Sequence, residues 1–223
     1  MKKGTRRFSL IALSLILVIS MLAGCSSKPK PEDAQAYIKA TLDIICTGDY
    51  DHSVKIEDIE EGEEGEIRDQ VIESMLASFG AEQGLDEEVK GRFKDSLIDA
   101  FSKAKYTVGE AVPTDDGGYD VSVTIEPLQV FAGFSENFES TVQARALEEY
   151  DTVMNMSDEE LNSFVMGIVV DMINENLADP KYDPAETVTV HYGLIDEENN
   201  LYGCASGEGE KLGAKIFSTE GMN

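Results

Sequence analysis

Apolar residues recur every three to four positions along most of this chain and every second position in two short stretches, and the change of period divides it into helices and hairpins. Between Ala34 and Thr47, Ile38, Leu42 and Ile45 fall at i, i+4 and i+7, and Gly48 supplies a left-handed stop, which predicts an amphipathic helix. Glu57 to Glu66 holds seven carboxylates and two glycines with only Ile59 apolar, and reads as a solvated loop. Ile67, Val71, Met75 and Phe79 recur every four residues, as do Val89, Phe93, Leu97 and Phe101, predicting two further core-facing helices with Gly80 and Gly84 between them.

Period two follows. Lys105 to Val112 and the alternating Tyr119, Val121, Val123 and Ile125 flank Pro113-Thr114-Asp115-Asp116-Gly117-Gly118, which predicts a β-hairpin with one buried face. Phe138, Val142, Ala146 and Tyr150 return to the helical period. Ser157-Asp158-Glu159-Glu160 is a capping box flanked by Met156 and Leu161, and opens a helix through Phe164, Ile168 and Met172 that Asp179-Pro180 ends. Val188, Val190, Tyr192 and Leu194 alternate into a turn at Asp196 to Asn200, and Leu201 to Ala205 returns as a second hairpin. A short helix is expected over Glu208 to Phe217. The order predicts an α+β domain whose antiparallel sheet, built from hairpins at about 105–126 and 187–206, is covered by amphipathic helices.

The first residues follow a different logic. Lys2, Lys3, Arg6 and Arg7 precede Phe8 to Leu22, 15 residues interrupted only by Ser9, Ser14 and Ser20. That is short of the ~20 residues a spanning helix needs, and fits a secretory signal. Leu22-Ala23-Gly24-Cys25 then matches the bacterial lipobox, in which small residues admit the lipoprotein signal peptidase before a diacylglyceryl-modified cysteine. The expected organisation is a signal peptide over 1–24, a lipidated tether over 25–31 in which Pro29 and Pro31 keep the chain extended, and one extracytoplasmic domain over 32–223. Cys25 is the expected lipidation site, and the outer face of a cell membrane the expected location.

Charge sharpens this picture. The 223 residues carry 18 Lys plus Arg against 44 Asp plus Glu, a net charge of −26. Removing residues 1–24 takes away four basic and no acidic residues, leaving 14 against 44 and a net charge of −30. Nucleic acid is excluded as a partner, because phosphate contacts need cations that are scarce here. With 42% hydrophobic residues the chain still has enough apolar surface to bury a core.

Ala36-Tyr37-Ile38, Gly48-Asp49-Tyr50, Lys105-Tyr106-Thr107-Val108-Gly109-Glu110-Ala111 and Gly118-Tyr119-Asp120-Val121 together resemble the uncharacterised surface lipoproteins of Gram-positive Firmicutes. The resemblance implies an NTF2-like or cystatin-like α+β shape and a membrane-anchored location, and it brings no activity or catalytic residue with it.

No nucleophile elbow, Walker loop, dinucleotide fingerprint or His-Glu-x-x-His motif occurs. His52 and His191 are the only histidines, too few for a multi-histidine zinc site. The acidic run lacks the register of a calcium loop, and carboxylates are too numerous for any pair to stand out as a glycosidase dyad. No metal or cofactor is expected. Cys46 and Cys204 remain after Cys25. They invite a disulfide closing a loop of about 158 residues, for about 4–5 kcal/mol in the chain-entropy model, or they are two small buried hydrophobes. A third reading pairs Leu194 with Leu201, which places His191 opposite Cys204 and offers a thiol nucleophile with its base. Two function classes result. One is a non-enzymatic lipoprotein that binds a small ligand or an envelope protein, with a pocket on the concave sheet face lined by Phe101, Tyr119, Val121 and Tyr192. The other is an extracytoplasmic hydrolase or thiol enzyme using Cys204 and His191 or a carboxylate pair.

Overall fold

A computed structural model describes residues 29–54, 56, 62, 64–79, 84–204 and 207–221. Within them lie seven helices, α1 (Pro31–Thr47), α2 (Glu64–Ser78), α3 (Glu87–Ser102), α4 (Phe134–Glu148), α5 (Tyr150–Val153), α6 (Asp158–Ala178) and α7 (Glu208–Ile216). Four strands, β1 (Lys105–Pro113), β2 (Tyr119–Glu126), β3 (Glu186–Asp196) and β4 (Leu201–Cys204), form one antiparallel sheet in the order β1-β2-β3-β4. The α+β architecture with two hairpins is the one the periodicity predicts, and α4 to α6 form the connection between them.

The strand alternation decides which face of the sheet is dry. Tyr119, Val121, Val123 and Ile125 of β2 and Val190 and Tyr192 of β3 are buried, while Ser122, Thr187 and Thr189 face solvent. This is the one-sided pattern that antiparallel sheets tolerate. The buried side is covered by α1 and α7, and α1 in turn lies under α2 and α3. A helix enclosed on both sides must be apolar around most of its circumference; α1 accordingly buries Ala34, Tyr37, Ile38, Leu42, Ile44 and Ile45. Gly48 ends it at φ 77°, its N–H donating to Ile44 O at 2.9 Å.

Two local expectations change. The solvated loop expected through Glu66 stops short, because Glu64 already opens α2. Its buried carboxylate lies 3.4 Å from His52 Nδ1, at a helix N-terminus where negative charge is favoured. The domain also begins before Glu32: Pro29 is buried and its carbonyl accepts the Tyr119 hydroxyl at 3.0 Å. Ser157 does cap α6 as expected, with Ser157 N–H donating to Glu160 Oε2 at 2.7 Å and Glu160 N–H to Ser157 Oγ at 3.3 Å.

In β1 the register moves from Val108↔Val123 to Ala111↔Val121, so Gly109 and Glu110 together oppose Ser122. A Cβ on Gly109 would lie 2.3 Å from Ser122 Oγ and 3.2 Å from Ser122 O, so any other residue there would have to displace the serine hydroxyl.

Candidate functional site

The expected pocket on the sheet face is filled. Tyr192 packs on Tyr37 of α1 with ring centroids 5.1 Å apart, Phe101 on Phe217 at 5.0 Å, and Val121 is wholly buried. Tyr119 is buried by the incoming chain at Pro29. The remaining space among α1, β3, Cys204 and α7, lined by Tyr37, Ile38, Thr41, Val190 and Leu212, amounts to about 20 Å³, room for about one water. Phe101, Tyr119, Val121 and Tyr192 are therefore core, and a ligand cavity cannot open there without dismantling the packing.

Cys46 and Cys204 are free, buried thiols, so of the readings open to them the bridge is not the one formed. Cys204 lies beside Tyr37 and Glu208, whereas Cys46 lies beside Asp43 and Arg68. Positions 37 and 46 are nine residues apart on one helix, about 13 Å of axial rise, well beyond the reach of a disulfide. Burial, aided by Asp43 against the smaller opposing effect of Arg68, pushes the Cys46 thiol from 9.0 up to about 12. Burial and the Glu208 carboxylate do the same to Cys204, also up to about 12.

These raised values set a pH dependence. A thiol whose folded value lies above its unfolded one stabilises the fold below the unfolded value and loses that contribution as pH rises toward the folded one. Stability is therefore expected to fall between pH 9.0 and about 12. In the native protein at pH 7.5, neither Cys46 nor Cys204 should react with a maleimide within minutes, and both should react once urea unfolds the chain. Prompt labelling of either thiol in folded protein would contradict the burial.

His191 and Cys204 do not meet either. A bulge at Ile195 shifts the second hairpin, so that Leu194 pairs with Tyr202 and Tyr192, rather than His191, stands opposite Cys204. Adjacent strand residues point to opposite faces. His191 consequently lies on the solvent side between two aspartates, with Nδ1 at 2.9 Å from Asp120 Oδ1 and Nε2 at 3.2 Å from Asp116 Oδ2. The Thr114 hydroxyl, the Gly118 N–H and His191 hold the Asp116 carboxyl below the usual range. The two aspartates thus join His191 of β3 to the β1–β2 turn.

An open site lies elsewhere. Between α4 and α6 is a cleft of about 330 Å³, at the lower end of the range of small-ligand sites. Asn137, Ser140, Thr141 and Arg145 project from one face of α4, and Ile168, Asp171, Met172, Glu175 and Asn176 from one face of α6. Asp171 accepts Arg92 Nη2 of α3 at 2.6 Å on one oxygen and Arg145 Nη2 at 3.3 Å on the other. Asn176 Nδ2 donates to Val130 O at 3.0 Å and Ala132 O at 3.1 Å, fixing the inner end of the cleft to the segment before α4. Two helices whose facing surfaces are this polar cannot close on each other as apolar stripes would. Of α4, only Phe134 is buried. The spacing of Asn137, Ser140, Thr141 and Arg145 was readable as a polar face, but only packing shows that this face, and not the one with Phe138, Val142 and Ala146, borders the cleft.

Among the described residues, no group of three or more His, Cys, Asp or Glu is placed to hold a metal ion, and no helix is long and apolar enough to cross a membrane. Leu22, Ala23, Gly24 and Cys25 lie outside the described residues. No protein family, curated protein or solved structure matches the chain.

Proposed function

We propose that the protein is a membrane-anchored, extracytoplasmic lipoprotein that acts by binding, and that its ligand is a small zwitterionic solute held in the α4–α6 cleft. The anchoring half of this reading rests on Leu22-Ala23-Gly24-Cys25 following a basic and then an apolar segment. The cleft carries the binding half. Its walls hold charges of both signs, with Arg145 on α4, Asp171 and Glu175 on α6, and Arg92 joined to Asp171. A ligand carrying one carboxylate and one ammonium matches that balance, its carboxylate meeting Arg145 and its ammonium Glu175. Ile168 and Met172 supply apolar contact for a short side chain. A thiol enzyme is the poorer reading, because Cys204 is a buried neutral thiol on the face opposite His191.

Calorimetric titration of the chain lacking residues 1–24 with glycine, L-glutamine, L-glutamate and dialanine tests the binding half. One of these should bind saturably, and Arg145→Ala should weaken it about 10- to 100-fold, the loss of a charge-assisted hydrogen bond. Absence of binding by all four at millimolar concentration, in protein with native circular dichroism, would remove the zwitterion reading.

A further inference from the structure

We infer that the domain stands on the bilayer in one orientation, with the β1–β2 turn end toward the lipid headgroups and the α4–α6 cleft toward the far side; this rests on lipid attachment at Cys25. The fold takes hold of the chain at Pro29. Its buried carbonyl accepts the Tyr119 hydroxyl at 3.0 Å, and the next residue, Lys30, donates its backbone N–H to Asp33 at 2.8 Å to start α1. Four peptide units separate Cys25 from Pro29, so even a fully extended chain spans at most about 14 Å. A domain of about 190 residues is about 40 Å across. A tether one third of that diameter cannot let the opposite side of the body reach the membrane.

What lies around the attachment point is therefore what the headgroups meet. Tyr119 begins β2 directly after the turn at 114–118, where Asp115 and Asp116 are exposed, and Tyr119 pairs with Tyr192, which pairs with Cys204 at the end of β4. Facing anionic lipid, the turn carboxylates oppose close adsorption while Lys30 beside Pro29 favours it. The same end also exposes the apolar side chains of Val112, Leu194 and Ile195 to the headgroups. At the other end of β2, about 24 Å away along seven residue steps, the chain leaves Glu126 into the segment that Asn176 ties to the cleft. The cleft consequently lies toward the far end of the domain from the lipid, beside the segment 130–132.

The chain contains no tryptophan, so a single one reports position cleanly. Mature protein coupled through Cys25 to a maleimide-bearing lipid in phosphatidylcholine vesicles, with dansyl-labelled headgroups as acceptors, compares Asp115→Trp at the turn with Ala185→Trp at the far end. Both positions are exposed. Asp115→Trp should transfer energy about threefold or more as efficiently as Ala185→Trp, given the strand length between them. Twenty Gly and Ser residues inserted before Pro29 should erase the difference. Equal transfer from both positions, or the reverse order, in folded protein with the natural tether would overturn the orientation. Because the anchor is attached chemically, this result is independent of whether cells lipidate Cys25.

Discussion

Cells producing the Cys25→Ala variant are expected either to release the protein from the membrane or to accumulate it as the uncleaved precursor of 223 residues. The apolar stretch from Phe8 to Leu22 is too short to act as a lasting spanning anchor. On the proposed reading attachment comes from acyl chains, each buried methylene contributing about 0.8 kcal/mol, so that two chains hold where one would exchange. The body as a whole opposes it, since its net charge of −30 without residues 1–24 repels anionic headgroups. Fractionation followed by intact-mass analysis checks this. Wild-type protein recovered from the medium, unmodified and cleaved at a site other than before Cys25, would refute the lipoprotein reading while leaving the cleft untouched.

Phe101→Ala should cost about 3–5 kcal/mol of folding stability, the usual loss for an aromatic truncated in a core that cannot collapse around the gap. Phe101 is 0% exposed and its ring meets Phe217 where the chain leaves α7, so the substitution opens a hole beneath the sheet. Leu147→Ala, at a position 74% exposed on α4, should change stability by less than about 0.5 kcal/mol. Urea denaturation separates the outcomes through the midpoint, with the slope expected to stay unchanged. A Phe101→Ala protein as stable as wild type would mean that this face is a tolerant hollow, as a pocket would be, and not a packed core.

The α+β class and most helix boundaries were legible in the chain because amphipathic periodicity records which face of an element will be dry, whatever covers it. Tyr119 to Ile125 announced their buried face two residues at a time, and Ser157 with Glu160 announced a helix start through contacts confined to four residues. The expected lipobox is equally local, since a signal peptidase reads linear sequence. Partners across the fold were not legible in this way. Nothing in Leu194-Ile195-Asp196 says which residue the bulge leaves unpaired; the pairing of β4 with β3 decides it, and one residue of shift moves His191 away from Cys204.

The same division explains the pocket and the tether. Phe101, Val121 and Tyr192 are apolar whether they line a cavity or fill one, and only the approach of α1 and α7 to the sheet fills it. Pro29 reads as part of an extended linker until Tyr119, 90 residues later, claims its carbonyl. The helix length that separates Cys46 from Cys204, and the polar faces of α4 and α6 brought together as an open cleft, likewise exist only once the elements are assembled. Sequence determined what each segment must hide from water, because burial is a property of single residues and their period; tertiary structure decided what each hides against, because contact is a property of pairs distant in the chain.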